Sequence, residues 1–138
     1  MKKVAFICYA NACRSQIAEG LSKIFGKGLY DAYSAGLYPL GIVAGGVYEV
    51  MEMRGIDISN QYSKGLEEIP MNEMDFVISL GSFSADSVCP VYFSGQKMDW
   101  DIPDPYGADI EAYEKVTHII ENKLKKFIKK NFNSSTPD

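Results

Sequence analysis

The sequence is short of the residues that build metal sites and disulfide frameworks. It has one histidine and three cysteines in 138 residues, with no C-x-x-C pair. A structural zinc site needs four closely spaced Cys or His ligands, so we expect no metal site. Three cysteines are also too few, and odd in number, for the disulfide framework of a small secreted protein.

Long apolar segments and excess positive charge are missing as well. No apolar run approaches the roughly 20 residues that span a bilayer, and the one that begins at Val4 is too short for a secretory signal. The net charge of −4 argues against nucleic acid as a partner. We therefore expect a cytoplasmic protein that binds neither membrane nor nucleic acid, with a monomer as the default state.

The composition and the periodicity of the chain favour one folded domain. With 46% hydrophobic residues, residues 1–131 suit a single core, followed by a flexible polar tail at 132–138. The spacing of apolar residues predicts strands at 3–8, 30–34, 75–80 and 97–100, and helices at 15–25, 43–54 and 110–131. This alternation is typical of an α/β fold with a four-stranded parallel sheet and helices on both faces.

The segment CYANACRS, residues 8–15, joins the first strand to the first helix. Ligands of parallel α/β folds bind beyond the carboxyl ends of the strands. A short loop before a helix turns backbone N–H groups inward and cradles an anion. The guanidinium of Arg14 matches two oxygens of a phosphate-like anion. We predict an oxyanion-binding loop made by Arg14 and the residues before it: Tyr9, Ala10, Asn11, Ala12 and Cys13.

Cys8 lies at the floor of this predicted loop. The positive field that binds an anion also favours the thiolate form of Cys8 at neutral pH. A thiolate that faces a tetrahedral oxyanion is placed for in-line attack. Ser15 follows Arg14, where its hydroxyl can donate a hydrogen bond to the sulfur, and Asn11 tolerates the left-handed backbone that a tight loop needs.

A carboxylic acid is also required. Attack by a thiolate on a phosphate ester expels an alkoxide or phenoxide, which needs a proton. Asp99, Asp101 and Asp104 compete for this role. Asp104 stands between two prolines, which stiffen its backbone. We predict that Asp104 is the acid of the first step and the base that activates water in the second.

These motifs resemble those of a known superfamily. CYANACRSQIAEG is similar to the active-site loop of the low-molecular-weight protein tyrosine phosphatases and of the thioredoxin-coupled arsenate reductases that share their fold. The segments SAG, GIDISNQYSKGL and WDIPDPYG, which begin at residues 34, 55 and 100, resemble three further loops of that fold. The resemblance covers nearly the whole chain up to about residue 132.

The resemblance also implies roles for individual residues. It implies that Cys8 is the nucleophile, that Arg14 clamps the oxyanion and that Ser15 is the partner of the thiolate. It further implies that Asn11 is braced by Ser34. It also implies that Asp104 is the acid, in agreement with the argument from the residues.

Two reactions remain open at this stage. Gln16, where phosphatases usually have proline, and Cys89 resemble the reductases. Gly81 stands where a reductase would have its resolving cysteine, and Tyr106 resembles the aromatic wall that phosphatases place beside a phenyl ring. A disulfide between Cys8 and Cys13 would protect the nucleophile from over-oxidation, and Cys13 could also resolve an arsenate adduct.

We therefore predict a cysteine-dependent phosphomonoesterase that acts on a phosphotyrosine protein or a small aryl phosphate through a thiophosphate intermediate. The alternative is an arsenate reductase that uses Cys13, Cys89 or an external thiol, such as thioredoxin or glutathione, as reductant. A third hypothesis is an oxyanion-binding module without catalysis. We expect no cofactor, with phosphate, sulfate or arsenate as occupants of the loop.

Overall fold

A four-stranded, fully parallel sheet in the order β2-β1-β3-β4 forms the centre of the computed structural model, which describes residues 1–132. The strands are β1 (Lys2–Cys8), β2 (Tyr30–Gly36), β3 (Phe76–Ser79) and β4 (Gln96–Asp99). The α-helices are α1 (Arg14–Phe25), α2 (Gly45–Met53) and α3 (Ile110–Asn131). The predicted α/β class and the four-stranded parallel sheet are confirmed.

The two faces of the sheet carry different helices. Val4 and Phe6 of β1 lie in the core cluster to which all three α-helices contribute side chains. Ala5 and Ile7 point to the other face, which is covered around three short 3-10 helices, Leu66–Glu68, Met71–Glu73 and Ala85–Val88. The prediction of helices on both faces therefore holds, with long helices on one face and single turns on the other. The sequence did not reveal these turns, because three or four residues show no periodicity.

The carboxyl ends of the strands position the site. β1 lies between β2 and β3 and is parallel to both, so Cys8, Gly36 and Ser79 end at the same edge of the sheet. After β1 the chain adds β2 on one side of it and then β3 on the other side. This change of direction opens a crevice at the carboxyl edge, and ligands of such sheets bind in this crevice. Cys8 is therefore at the position where this fold binds ligands.

Two predicted boundaries differ from the structure for physical reasons. Helix α2 begins at Gly45 and not at residue 43, because the N–H of Ala44 donates a hydrogen bond of 3.0 Å to the carbonyl of Ala12 and its backbone stays extended. Phe132, assigned to the tail, packs its ring on those of Phe76 and Phe127 at 5.7 Å from each. The rest of the predicted tail, 133–138, lies outside the described residues. No helix in residues 1–132 is long and apolar enough to cross a membrane.

Candidate active site

The carbonyl groups at the end of β1 and in the loop before α1 accept hydrogen bonds from another segment of the chain. Four of these carbonyls accept hydrogen bonds from the segment that follows β2, namely those of Cys8, Tyr9, Ala10 and Ala12. By contrast, no backbone carbonyl within residues 1–132 accepts a hydrogen bond from the N–H groups of residues 9–13. These N–H groups are therefore left to bind an anion, as a cradle before a helix N-terminus requires.

Asn11 fixes the shape of this loop. Its φ of 50° is in the left-handed region that asparagine tolerates. Its Nδ2 donates to the hydroxyls of Ser15 at 2.7 Å and Ser34 at 3.0 Å. Its Oδ1 accepts from Gln16 Nε2 and from the backbone N–H of Lys64, each at 2.9 Å. All hydrogen-bonding positions of this fully buried amide are occupied, and Ser34 lies where the resemblance implied.

Cys8 lies at the bottom of a pocket of about 170 Å³. The residue is 2% exposed, and its Sγ lies 2.8 Å from the Oγ of Ser15. Among the predicted loop residues, all except Asn11 line this pocket. Leu40, which the sequence did not single out, lines it as well. The thiol, its hydroxyl partner and the loop predicted to bind an oxyanion therefore meet at one place.

The guanidinium of Arg14 is locked in position beside the pocket. Its Nη1 donates to the carbonyl oxygens of Leu80 and Ile102, at 3.1 Å each. Its Nη2 lies 3.7 Å from Oδ2 of Asp104. Its Nε is buried and has no hydrogen-bond partner within residues 1–132. A buried donor that is left unpaired is costly, and an oxyanion above Cys8 would satisfy it.

One of the three candidate acids reaches the pocket. Asp104 lines it, with 53% of its side chain exposed, and its Oδ1 accepts a 3.1 Å hydrogen bond from the N–H of Tyr106. Tyr106 also lines the pocket, at its exposed mouth. Asp99 is engaged elsewhere, where it accepts a hydrogen bond from Ala85 N–H at 2.7 Å, and Asp101 does not line the pocket. The geometry therefore favours Asp104 as a proton donor.

Cys13 lies in the pocket wall with its sulfur turned toward α3. Its Sγ is 3.6 Å from the hydroxyl of Tyr113, and the residue is 4% exposed. Burial raises the pKa of the Cys13 thiol to about 11, despite the hydrogen bond from Tyr113. Cys13 is therefore a neutral thiol at pH 7, which is a poor nucleophile.

Cys89 is not brought to the pocket. It packs against the core cluster on the face of the sheet that carries Ala5 and Ile7, and it lines a surface groove with Leu37 and Ile69. Burial raises the pKa of this thiol too. The structure shows no contact between Cys89 and Cys8 that would support the predicted redox role of Cys89.

A polar network that the sequence did not reveal supports the loop from behind. Ser34 donates to Glu19 Oε1 at 2.5 Å, and the ammonium of Lys64 lies 3.8 Å from the same oxygen. The Nε2 of Gln16 also binds the carbonyl of Asn11 at 3.1 Å. Lys64 is 53 residues from Asn11, so no local spacing could have linked them. Within residues 1–132, no three His, Cys, Asp or Glu side chains are grouped as ligands for a metal ion.

Two groups of known enzymes are similar to this chain. An arsenate reductase of Brevibacillus brevis is 34% identical over 127 residues, 91% of this chain and 93% of that protein. A glutaredoxin arsenate reductase of Synechocystis sp. is 35% identical over 137 residues, 94% of this chain and 98% of that protein. A low molecular weight protein tyrosine phosphatase from T. tengcongensis has a structure 29% identical in sequence, with a TM-score of 0.78 over 94% of this chain and 99% of its own. Residues 3–135 match the family model described as low molecular weight phosphotyrosine protein phosphatase, and the chain therefore belongs to that family of enzymes.

Proposed function

We propose that this protein hydrolyses aryl phosphate monoesters, with phosphotyrosine in a protein as the main substrate class. The observation that carries the proposal is the set of groups around one pocket. It contains the Cys8 thiol with its Ser15 partner, a loop with unengaged N–H groups, the Arg14 guanidinium and the Asp104 carboxyl group. Each step of phosphate ester hydrolysis has a group for it here.

In the first step the Cys8 thiolate attacks phosphorus and the bond from phosphorus to the aryl oxygen breaks. The leaving oxygen takes a proton from Asp104 in its acid form. The N–H groups of the loop and the Arg14 guanidinium stabilise the negative charge of the transferring phosphoryl group. The products of this step are a phenol and a thiophosphate on Cys8.

In the second step water hydrolyses the thiophosphate. Asp104, now a carboxylate, takes a proton from the water as it attacks phosphorus. The bond between sulfur and phosphorus breaks and its electron pair returns to sulfur, which Ser15 stabilises through its hydroxyl at 2.8 Å. Inorganic phosphate leaves, and the cycle as proposed needs neither a metal nor an organic cofactor.

The mouth of the pocket favours an aryl substrate. The side chains of Tyr9, Leu40 and Tyr106 line it, and these residues are 55%, 45% and 56% exposed. Apolar surface at the entrance of a polar site suits the ring of a phosphotyrosine, because aromatic rings pack well against one another.

Arsenate reduction is the second candidate, and the names of the curated relatives support it more than they support the phosphatase. In this reaction the Cys8 thiolate forms a bond to the arsenic of arsenate, and water is lost. A second thiol then attacks the Cys8 sulfur, and the electron pair of the broken bond between sulfur and arsenic reduces As(V) to As(III). The products are arsenite and a disulfide, which a further thiol must reduce.

The structure bears on where that second thiol would come from. By the resemblance, Gly81 stands where a reductase would have its resolving cysteine. Burial raises the pKa of the Cys13 thiol to about 11, and Cys89 does not line the pocket that holds Cys8. We therefore propose that an external thiol, from glutathione, glutaredoxin or thioredoxin, would attack Cys8 if this chain reduces arsenate. Hydrolysis needs only water, and for this reason we place it first.

Paired kinetics on one preparation test both proposals. We expect wild-type protein to release p-nitrophenol from p-nitrophenyl phosphate, and Cys8→Ser to release none above background. Arsenate is then supplied with NADPH and either the thioredoxin system or glutathione with glutaredoxin and glutathione reductase. Thiol-dependent NADPH oxidation without ester hydrolysis would overturn the first candidate and establish the second, whereas the reverse result would remove the second.

A further inference from the structure

A second pocket opens beside the catalytic one, on the other side of Tyr106. It has a volume of about 430 Å³, and Tyr106 lines both pockets. Their walls also meet where Cys13 of the catalytic pocket contacts Tyr113 of the second one at 3.6 Å. We call this second pocket the Tyr106 groove. A peptide substrate that extends out of the catalytic pocket over Tyr106 enters the Tyr106 groove.

The Tyr106 groove has an apolar lining and a single charged side chain. Ile42, Ile110 and Tyr113 supply its apolar surface. Glu49, on α2, is its one charged lining residue, and this exposed carboxylate has no ion pair within residues 1–132. A Cβ atom on Gly45 would meet nothing within 4 Å, so the groove is open at that point.

The charges around the two pockets are one-sided. Asp104 lines the catalytic pocket, and Glu49 lines the Tyr106 groove. The one cationic lining residue of either pocket is Arg14, which is 9% exposed and turned to the phosphate position. A substrate that extends out of the catalytic pocket therefore enters a region with negative charge, which repels acidic residues and attracts basic ones.

We propose that the Tyr106 groove binds a lysine or arginine side chain adjacent to the phosphotyrosine of a protein substrate. This inference rests on the proposed phosphatase function and names the sequence that the enzyme prefers. The stem of a long basic side chain lies on apolar surface while its charged end stays in water. In the Tyr106 groove the stem would lie on Ile42 and Ile110, with the cationic end at Glu49.

The test compares phosphotyrosine peptides that differ only in the residues beside phosphotyrosine, lysine in one and glutamate in the other. We expect kcat/KM of wild-type protein to be about two- to fivefold higher for the lysine peptide, as an exposed ion pair provides. Glu49→Gln should lower this ratio toward one, because it removes the carboxylate that the groove supplies. Glu52→Gln is the matched control, because Glu52 lies one turn along the same helix, is exposed and lines a different groove; it should keep the wild-type ratio.

Salt distinguishes an electrostatic effect of Glu49 from a change in the shape of the groove caused by the substitution. The ratio should approach one at about 1 M NaCl, where the Debye length is roughly 3 Å. A ratio that is the same in wild-type protein and Glu49→Gln, or that favours the glutamate peptide, would overturn the inference.

Binding distinguishes failure of this inference from failure of the proposed function. If wild-type protein hydrolyses p-nitrophenyl phosphate, the proposed function stands whatever the peptides show. If it does not, the affinity of Cys8→Ser for the two peptides still reports on the groove. A preference for the lysine peptide that Glu49→Gln abolishes in that background supports the inference, and equal affinities overturn it.

Discussion

Cys8 and Ser15 are joined by a contact of 2.8 Å between Sγ and Oγ in the buried floor of the pocket. The same hydroxyl accepts a hydrogen bond of 2.7 Å from Nδ2 of Asn11. When Cys8 is a thiolate its sulfur can only accept, and the Ser15 hydroxyl then donates its hydrogen to that sulfur. The arrangement stabilises negative charge on Cys8, and Ser34 extends it by accepting from the other Nδ2 hydrogen of Asn11.

Replacing Ser15 by alanine should make Cys8 less reactive. A hydrogen bond to a charged group contributes about 1.5–3 kcal/mol, so we expect the rate of alkylation by iodoacetate at pH 6 to fall about tenfold or more. Ser22→Ala is the matched control, because Ser22 is a buried, hydrogen-bonded serine in the same helix, bound to Ala18 and Tyr30. Equal alkylation rates in wild-type protein and Ser15→Ala would contradict the role assigned to the hydroxyl.

Asp104→Asn should slow turnover of aryl phosphates while the oxyanion loop still binds phosphate. Loss of a general acid typically costs about 100- to 10,000-fold in rate. Phosphate binding should be retained, because the substitution removes a negative charge 3.7 Å from Arg14 Nη2. The measurements are kcat for p-nitrophenyl phosphate and the inhibition constant of phosphate. Asp101→Asn, an exposed carboxylate of the same segment that does not line the pocket, should leave kcat near the wild-type value.

Gly36→Ala should displace the oxyanion loop. A Cβ atom at this position would lie 2.7 Å from Asn11 N and 2.9 Å from Ala10 C and Tyr9 O. These are backbone atoms, so the loop itself must move, at a cost of about 1–3 kcal/mol in the free energy of unfolding. We expect phosphate to protect Cys8 from alkylation only at concentrations roughly tenfold higher or more, since each lost hydrogen bond to the anion is worth about 1.5–3 kcal/mol. Unchanged protection in a folded variant would show that the loop tolerates the methyl group.

The sequence revealed the parts of the site that lie close together along the chain. Cys8, Arg14 and Ser15 stand within one strand-loop-helix unit, where a strand end and a helix start fix their positions. Asp104, which lies farther along the chain, was predicted from its flanking prolines, which restrain it, and from the resemblance. These features depend on local geometry, which composition and spacing can show.

The rest of the site depends on long-range contacts. The carbonyls that lock Arg14 belong to Leu80 and Ile102, 66 and 88 residues away. They become neighbours only when β1 and β3 pair and the following loop folds back. The place of Cys89 depends on the fold in a similar way, since its likeness to a relay cysteine carried no information about the face of the sheet on which it lies. Contacts of this kind are set by topology rather than by spacing.

The buried thiol of Cys13 should make the protein less stable in alkaline solution. Its pKa rises from 9.0 to about 11 on folding because burial disfavours the thiolate. Above pH 9 the unfolded chain loses this proton while the folded protein keeps it. The stability contribution is therefore complete below about pH 9 and is lost as the pH rises to about 11, by up to roughly 2–3 kcal/mol.

Denaturant unfolding from pH 8 to 11 in the presence of a phosphine reductant measures this loss. Cys13→Ala, which has no thiol at this position, should show a shallower fall in the free energy of unfolding than wild-type protein. The Tyr30 hydroxyl, whose pKa burial raises to about 12, contributes equally to both proteins. Parallel curves for the two proteins over this range would contradict the prediction.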